Sequence, residues 1–432
     1  MAPRMRLMWL GRFTSSIGDG VVFVAFPLIA TRLTHNPVLI SGVAFATTLP
    51  WLLFALPAGA LADRVSRRRL VTVIEAARMV ALAALGVAMI FGRLSIVELY
   101  CAAFLVALFE TAFDSATNAV IPQVATGADL VHANSRLQFA QLSGEQFIGP
   151  AIGGFAVAVA ASTPVLLDAV SFAFSGLLLA VALRPARRLG RHGPAPKDDF
   201  ALVEPPSKPR ASFLTQIRDG LAWLLRAPTM RLLCTLNMGL AFCQALGLAV
   251  VVIYATRVLH LSPAGFGVFT AVAASGNAIG AWMAPRVHAS LGSGRTLMSA
   301  GILGGVALFV VGTTTSTGVA VLALGAEAIA VGVGRVAIAA LRQQLVPLEL
   351  AGRVSAAVRS SVVGAAAIAA LLGGGLVAAM GPQAPFVLGG LAQIVIAVLL
   401  GGALARRLAA DRHRVVDLTD EVDLREQPVA VE

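Results

Sequence analysis

The sequence predicts an all-α membrane protein of about twelve transmembrane helices, arranged as two pseudo-symmetric six-helix bundles. Three observations lead there. Of the 432 residues, 58% are hydrophobic and only 13% are charged, whereas soluble domains carry about 25% charged residues. The apolar residues come in long runs separated by short polar turns, and each run is long enough for a span of about 20 residues. Nearly all the arginines fall in alternate turns. Arg32, Arg93 and Arg257 are assigned outside, and the 64–69 cluster, Arg184, Arg187, Arg188, Arg191, Arg286, Arg295, Arg353, Arg406 and Arg407 inside. That asymmetry predicts a multi-pass protein with both termini in the cytoplasm. It also accounts for the net charge of +11, which in a soluble protein would point to acidic or nucleic-acid partners.

The first span runs from about Leu7 to Thr31 and carries Asp19 near its middle, between Gly18 and Gly20. A carboxylate at that depth is costly and normally faces an aqueous cavity or a partner. The second span ends in GALADRVSRRR, residues 59–69, whose arginines must lie at a membrane surface. Glu75 and Arg78 open the third span one turn apart, a spacing that suggests a local ion pair or contacts with the arginine cluster. The fourth, about Ile96 to Ile121, holds Glu110 and Asp114 at i and i+4, on one helix face. Two such carboxyls repel when both are ionised, so either one holds a proton or an arginine from another helix satisfies the pair.

An inner loop is expected from Pro122 to Ser135. The fifth span follows, with Glu145 one turn before Gly149-Pro150-Ala151-Ile152-Gly153-Gly154. Proline removes a helix hydrogen bond and the glycines let a neighbouring helix approach closely. The sixth span, Pro164 to Leu183, places Asp168 near the outer surface. Residues 184–210 are rich in Arg, Pro and Gly and read as a solvated linker. Residues 212–226 place Phe213, Ile217, Leu221 and Leu224 on one face, as in an interfacial helix.

The second half repeats the plan, with spans at about Met230–Val258, Pro263–Val287, Thr296–Thr314, Gly318–Leu341, Ala351–Met380 and Pro385–Leu404. The expected domains are therefore an N-terminal bundle (1–184), a cytoplasmic linker (185–229), a C-terminal bundle (230–408) and a disordered tail (409–432). Asn237 and Gln244, seven apart on one helix face, together with Gln138, Gln141 and Asn277, are uncharged polar candidates for a substrate cavity; the alternative for each is a bond to a neighbouring helix. Glu327 lies in the tenth span with Arg335 near the same face. Cys101, Cys234 and Cys243 have no metal-ligand spacing and read as packing residues. The sequence holds no HExxH, no GxSxG with partners and no Walker loop. No enzyme activity, metal or cofactor is expected, and any pumping must draw on an ion gradient.

Gly59, Leu61, Asp63, Arg64, Arg67, Arg68 and Arg69 resemble the loop signature of the major facilitator superfamily between its second and third helices, with Ser66 where that family usually has a second glycine. Gly149, Pro150, Gly153 and Gly154 resemble the antiporter signature that exporters of the superfamily carry in helix 5. Arg342 to Val354, and ETAFDSA at 110–116, resemble a bacterial branch that includes macrolide and siderophore exporters. The resemblance implies the major facilitator fold, a monomer, and export of small amphipathic organic molecules driven by protons, with sodium as the alternative. Nutrient import or lipid and siderophore transport is the alternative within the fold. Asp19, Glu110, Asp114, Glu145 and Glu327 are the candidates for proton coupling. The 59–69 loop would act as a conformational gate, with Asp63 meeting Arg353 or Arg359. Many relatives add an arginine in the fourth helix to this network; here that span contains none.

Overall fold

A computed structural model describes residues 3–124, 128–183, 222–347 and 350–410, and among them every regular element is helical. The N-terminal half comprises α1 (Pro3–Leu33), α2 (Pro37–Arg64), α3 (Arg67–Ile90), α4 (Ile96–Val124), α5 (Ala128–Leu142), a π-helical turn (Ser143–Ile148), α6 (Gly149–Val159) and α7 (Thr163–Ala182). The C-terminal half comprises α8 (Pro228–Leu248), α9 (Val251–Arg257), α10 (Pro263–Thr313), α11 (Thr317–Leu345), α12 (Ala351–Met380), α13 (Ala384–Ile396) and a second π-helical turn (Ala397–Gly401).

Among the described residues, ten helical stretches are long and apolar enough to cross a membrane. One of them, α10, is two spans joined at Gly292, and the run from α5 through the π turn to α6 supplies another, so ten becomes twelve. Gly292 takes φ 71°, ψ 165°, a backbone state that glycine enters without steric penalty. The expected 285–295 loop is thus helical on both sides of one glycine. Residues 122–135 likewise differ from the expected loop, being helical to Val124 and again from Ala128. In both cases the helix outruns its apolar stretch, because a helix end in water needs no apolar residues.

Short connections have local causes. Asn36 caps α2 by accepting the Val38 N–H at 2.9 Å, and Pro37 occupies the first turn, where no N–H is needed. Ser95 and Glu98 form a reciprocal capping box at the start of α4, the Ser95 N–H donating to Glu98 at 2.7 Å. Ser262 caps α10 by accepting from Gly265 at 3.1 Å. The π turn lies directly before Gly149-Pro150. Proline lacks the N–H that would bond four residues back and its ring crowds that carbonyl, so widening the preceding turn relieves the clash.

Packing differs at the two ends of the molecule. At the end with the 33–37 turn, one apolar core joins both halves and includes Phe26, Leu99 and Phe172 with Ile253, Tyr254 and Phe386. At the opposite end each half has its own core. Met8, Leu70 and Phe113 belong to one, and Met230, Leu297 and Leu404 to the other. The halves also meet through α2 with α12 and through α6 and the π turn with α10. The glycines of the 149–154 segment make part of this possible. A Cβ on Gly154 would lie 2.7 Å from the Gly267 Cα of α10, and one on Gly153 would lie 3.0 Å from the Val21 Cα of α1.

Candidate functional site

Between the halves lies a cavity of about 270 Å³, close to the ~300 Å³ at which small-molecule sites begin. Phe23 of α1 and Phe269, Leu308, Leu324 and Phe386 of the other half supply apolar walls. Polar groups reach it from both sides. Glu145 comes from the π turn of the N-terminal half, while Gln244 of α8, Asn277 of α10 and Glu327 of α11 come from the C-terminal half. Gln244 Nε2 donates to Glu327 Oε1 at 2.9 Å, and Arg335 lines the cavity two helical turns beyond Glu327. Gln141 Nε2 donates to Glu145 Oε2 at 3.4 Å. Of the five uncharged polar candidates, Gln244 and Asn277 line the cavity; Gln141 touches it through Glu145. Asn237 and Gln138 are not among the lining residues, and Gln138 is exposed elsewhere on α5.

The remaining acidic candidates sit in a cluster inside the N-terminal half, within electrostatic reach of Glu145. Arg78 of α3 pairs with Asp19 of α1, and its guanidinium lies 3.9 Å from the centre of the Phe172 ring. Arg12 of α1 pairs with Asp114 of α4 at 2.5 Å and lies 5.0 Å from the centre of the Phe113 ring. Glu110 is half-buried one turn before Asp114. The two arginines therefore enter from α1 and α3, supplying cations that α4 lacks. The local Glu75–Arg78 pair expected from spacing does not form among the described residues. Glu75 instead accepts from Ser175 Oγ at 2.7 Å. Asp168 is fully buried within the protein, its Oδ1 resting where a Cβ on Gly18 would come within 1.8 Å. Arg12 went unassigned in the sequence reading. Its signal was available: an arginine five residues inside an apolar run needs an acidic partner as much as Asp19 needs a basic one.

The 59–69 segment is mostly helix. α2 continues to Arg64 and α3 begins at Arg67, leaving a two-residue turn. The side chains of residues 58–64, 67 and 68, including Asp63, lie outside the described residues, as do most of the linker and the 411–432 tail. Arg69 is exposed, and Arg359 of α12 stacks 4.6 Å from the centre of the Trp51 ring of α2, across the two halves.

A sequence profile of the Major Facilitator Superfamily matches residues 8–362. The chain belongs to this superfamily. Among similar proteins is the multidrug efflux pump Tap of Mycolicibacterium fortuitum, 29% identical over 237 residues, which are 54% of this chain and 54% of that protein. The multidrug efflux pump Tap of Mycobacterium tuberculosis (strain ATCC 25618 / H37Rv) is 33% identical over 180 residues, 40% of this chain and 43% of that protein. The chain thus spans about half the length of the relatives it matches. Two solved structures share the fold. A bacterial homologue of the iron transporter ferroportin in an inward-facing state superposes with TM-score 0.72 at 17% identity, over 94% of this chain and 99% of that one. The nucleoside transporter NupG superposes with TM-score 0.74 at 12% identity, again over 94% and 99%. As a member of the Major Facilitator Superfamily with many helices long and apolar enough to cross a membrane, the chain is a multi-pass membrane protein.

Proposed function

We propose that this transporter is a proton-coupled efflux antiporter that exports small amphipathic organic molecules by alternating access. The cavity carries this reading: phenyl and aliphatic walls accept an apolar body, and Glu145 and Glu327 contribute one carboxyl side chain from each half. Relatives named multidrug efflux pumps support the direction of transport, as does the resemblance of Gly149, Pro150, Gly153 and Gly154 to the antiporter signature. The protein works as a monomer in the cytoplasmic membrane, with both termini inside and the two bundles joined by the 185–229 linker. A proton taken up from outside neutralises a carboxylate and favours the state that has released substrate. Its effect on the equilibrium is no larger than the difference in proton affinity between the two states.

Everted vesicles containing the protein test this reading with ethidium and a panel of amphipathic drugs. Uptake should be energised, abolished by a proton uncoupler, and reduced at least tenfold in one or more of Asp19→Asn, Glu110→Gln, Glu145→Gln and Glu327→Gln. Uptake that survives both the uncoupler and all four substitutions sinks the proton mechanism.

A further inference from the structure

The buried cluster of the N-terminal half contains more carboxyls than its arginines can neutralise. Arg12 and Arg78 pair with Asp114 and Asp19. Glu110 of α4, Glu75 of α3 and Asp168 of α7 are left, and the last two are each 0% exposed. Each of those two accepts from one serine of α7: Ser175 gives to Glu75 Oε1 at 2.7 Å and Ser171 to Asp168 Oδ1 at 2.8 Å. The other oxygen of each, Glu75 Oε2 and Asp168 Oδ2, is buried without a hydrogen-bond partner. An ionised carboxylate demands several donors, and a buried charge without them is far costlier than a neutral acid with one bond.

Among the described residues the surroundings offer no further cation. Around these two acids, α1 contributes Arg12 and Asp19, α3 contributes Arg78, and α4 contributes Glu110 and Asp114. The π turn adds Glu145, and α6 has no titratable side chain. On α7, Asp168, Ser171, Phe172 and Ser175 follow the i, i+3, i+4, i+7 spacing of a single face, and this face holds both acids and the Arg78 guanidinium.

We propose that Glu75 and Asp168, which are not among the residues lining the cavity, form a proton-binding site behind the Asp19–Arg78 pair. Both carboxyls hold protons in the state described. Asp168 sits in the notch at Gly18, beside Asp19 in the chain. When the Asp168 O–H bond breaks, its proton passes to the Asp19 carboxylate, and Arg78 exchanges a partner that has become neutral for one that has become charged. No electrons change hands, and the total charge of the cluster is unchanged. Glu75, three residues before Arg78, offers the same exchange. The site goes beyond the proton-driven reading and stands even if another ion energises transport.

Infrared difference spectra of the full chain in lipid nanodiscs, titrated from neutral to alkaline pH, test it without any substrate. Wild-type protein should show protonated-carboxyl C=O bands at neutral pH that disappear on alkalinisation. Asp168→Asn and Glu75→Gln should each remove one band, whereas Asp114→Asn, whose carboxylate is salt-bridged, should remove none. If Asp168→Asn does not fold, Ser171→Ala should keep the Asp168 band but shift it, because its hydrogen-bond donor is gone. Folded Asp168→Asn and Glu75→Gln proteins with unchanged neutral-pH bands overturn the proposal, as does a Ser171→Ala spectrum identical to wild type.

Discussion

Arg12 and Asp114 meet at 2.5 Å with side chains only 6% and 21% exposed, so each is the main compensation for the other's charge. Removing one partner from a buried pair typically costs about 3–5 kcal/mol, because the remaining charge is stranded, while replacing both by apolar groups of similar volume is often neutral. Asp114→Asn and Arg12→Met should therefore each lower thermal stability in detergent clearly. The double variant Arg12→Met/Asp114→Leu should recover most of the loss. Additive losses in that cycle would show that the two side chains are not coupled. The need for partners was legible in the sequence, since an acid such as Asp19 in an apolar run demands one. The identity of the partners was not, because 59 and 102 residues separate the members of the two pairs. Local spacing even pointed the wrong way at Glu75 and Arg78. There, burial against Phe172 and the carboxylate of Asp19 overrides an attraction of a few tenths of a kcal/mol, roughly what a neighbouring pair on a helix offers.

At the scale of elements, the 149–154 segment shows how a short motif serves two neighbours. Gly149 and Gly153 face α1, where a Cβ on Gly149 would sit 2.6 Å from the Gly20 Cα, and Gly154 faces α10. Gly154→Ala would bring its Cβ to 2.5 Å from the Pro263 carbonyl oxygen. Backbone cannot yield as a flexible side chain can, so the helices must part at a cost of about 1–3 kcal/mol. Gly375→Ala on α12 meets nothing within 4 Å and should be neutral or stabilising by up to about 1 kcal/mol, since alanine favours helix. Melting temperatures of the two variants check this, and equal shifts would contradict close packing at Gly154. Glycine spacing made the close approach legible, but not the neighbour approached. The loops expected at 122–135 and 285–295 failed for a different reason. Hydropathy marks where apolar contact ends, whereas a helix ends only where backbone geometry or capping stops it.

At the scale of the whole molecule, the twelve-span, two-half plan was legible because apolar run length and arginine placement both record the bilayer. The relative tilt of the halves was not, since the core residues shared by both halves at one end are as apolar as those of the two separate cores at the other. The closed end has specific contacts. Arg257 Nη2 donates to the His35 carbonyl oxygen at 2.9 Å, between residues 222 apart in sequence. A Cβ on Gly374 of α12 would lie 2.8 Å from the Val38 Cα of α2. If the halves rock about a midplane site, these contacts must open once in every cycle. Tying them should then trap the transporter with that end shut, leaving binding intact and turnover blocked. Cysteines at His35 and Arg257, in a background with Cys101, Cys234 and Cys243 replaced, can be joined by a short methanethiosulfonate cross-linker. Ethidium transport should fall to background when mass spectrometry finds cross-linking complete, and return when a reductant cleaves the bridge. Full transport by the cross-linked protein would mean that this end stays closed throughout the cycle, and a rocking mechanism would have to be abandoned.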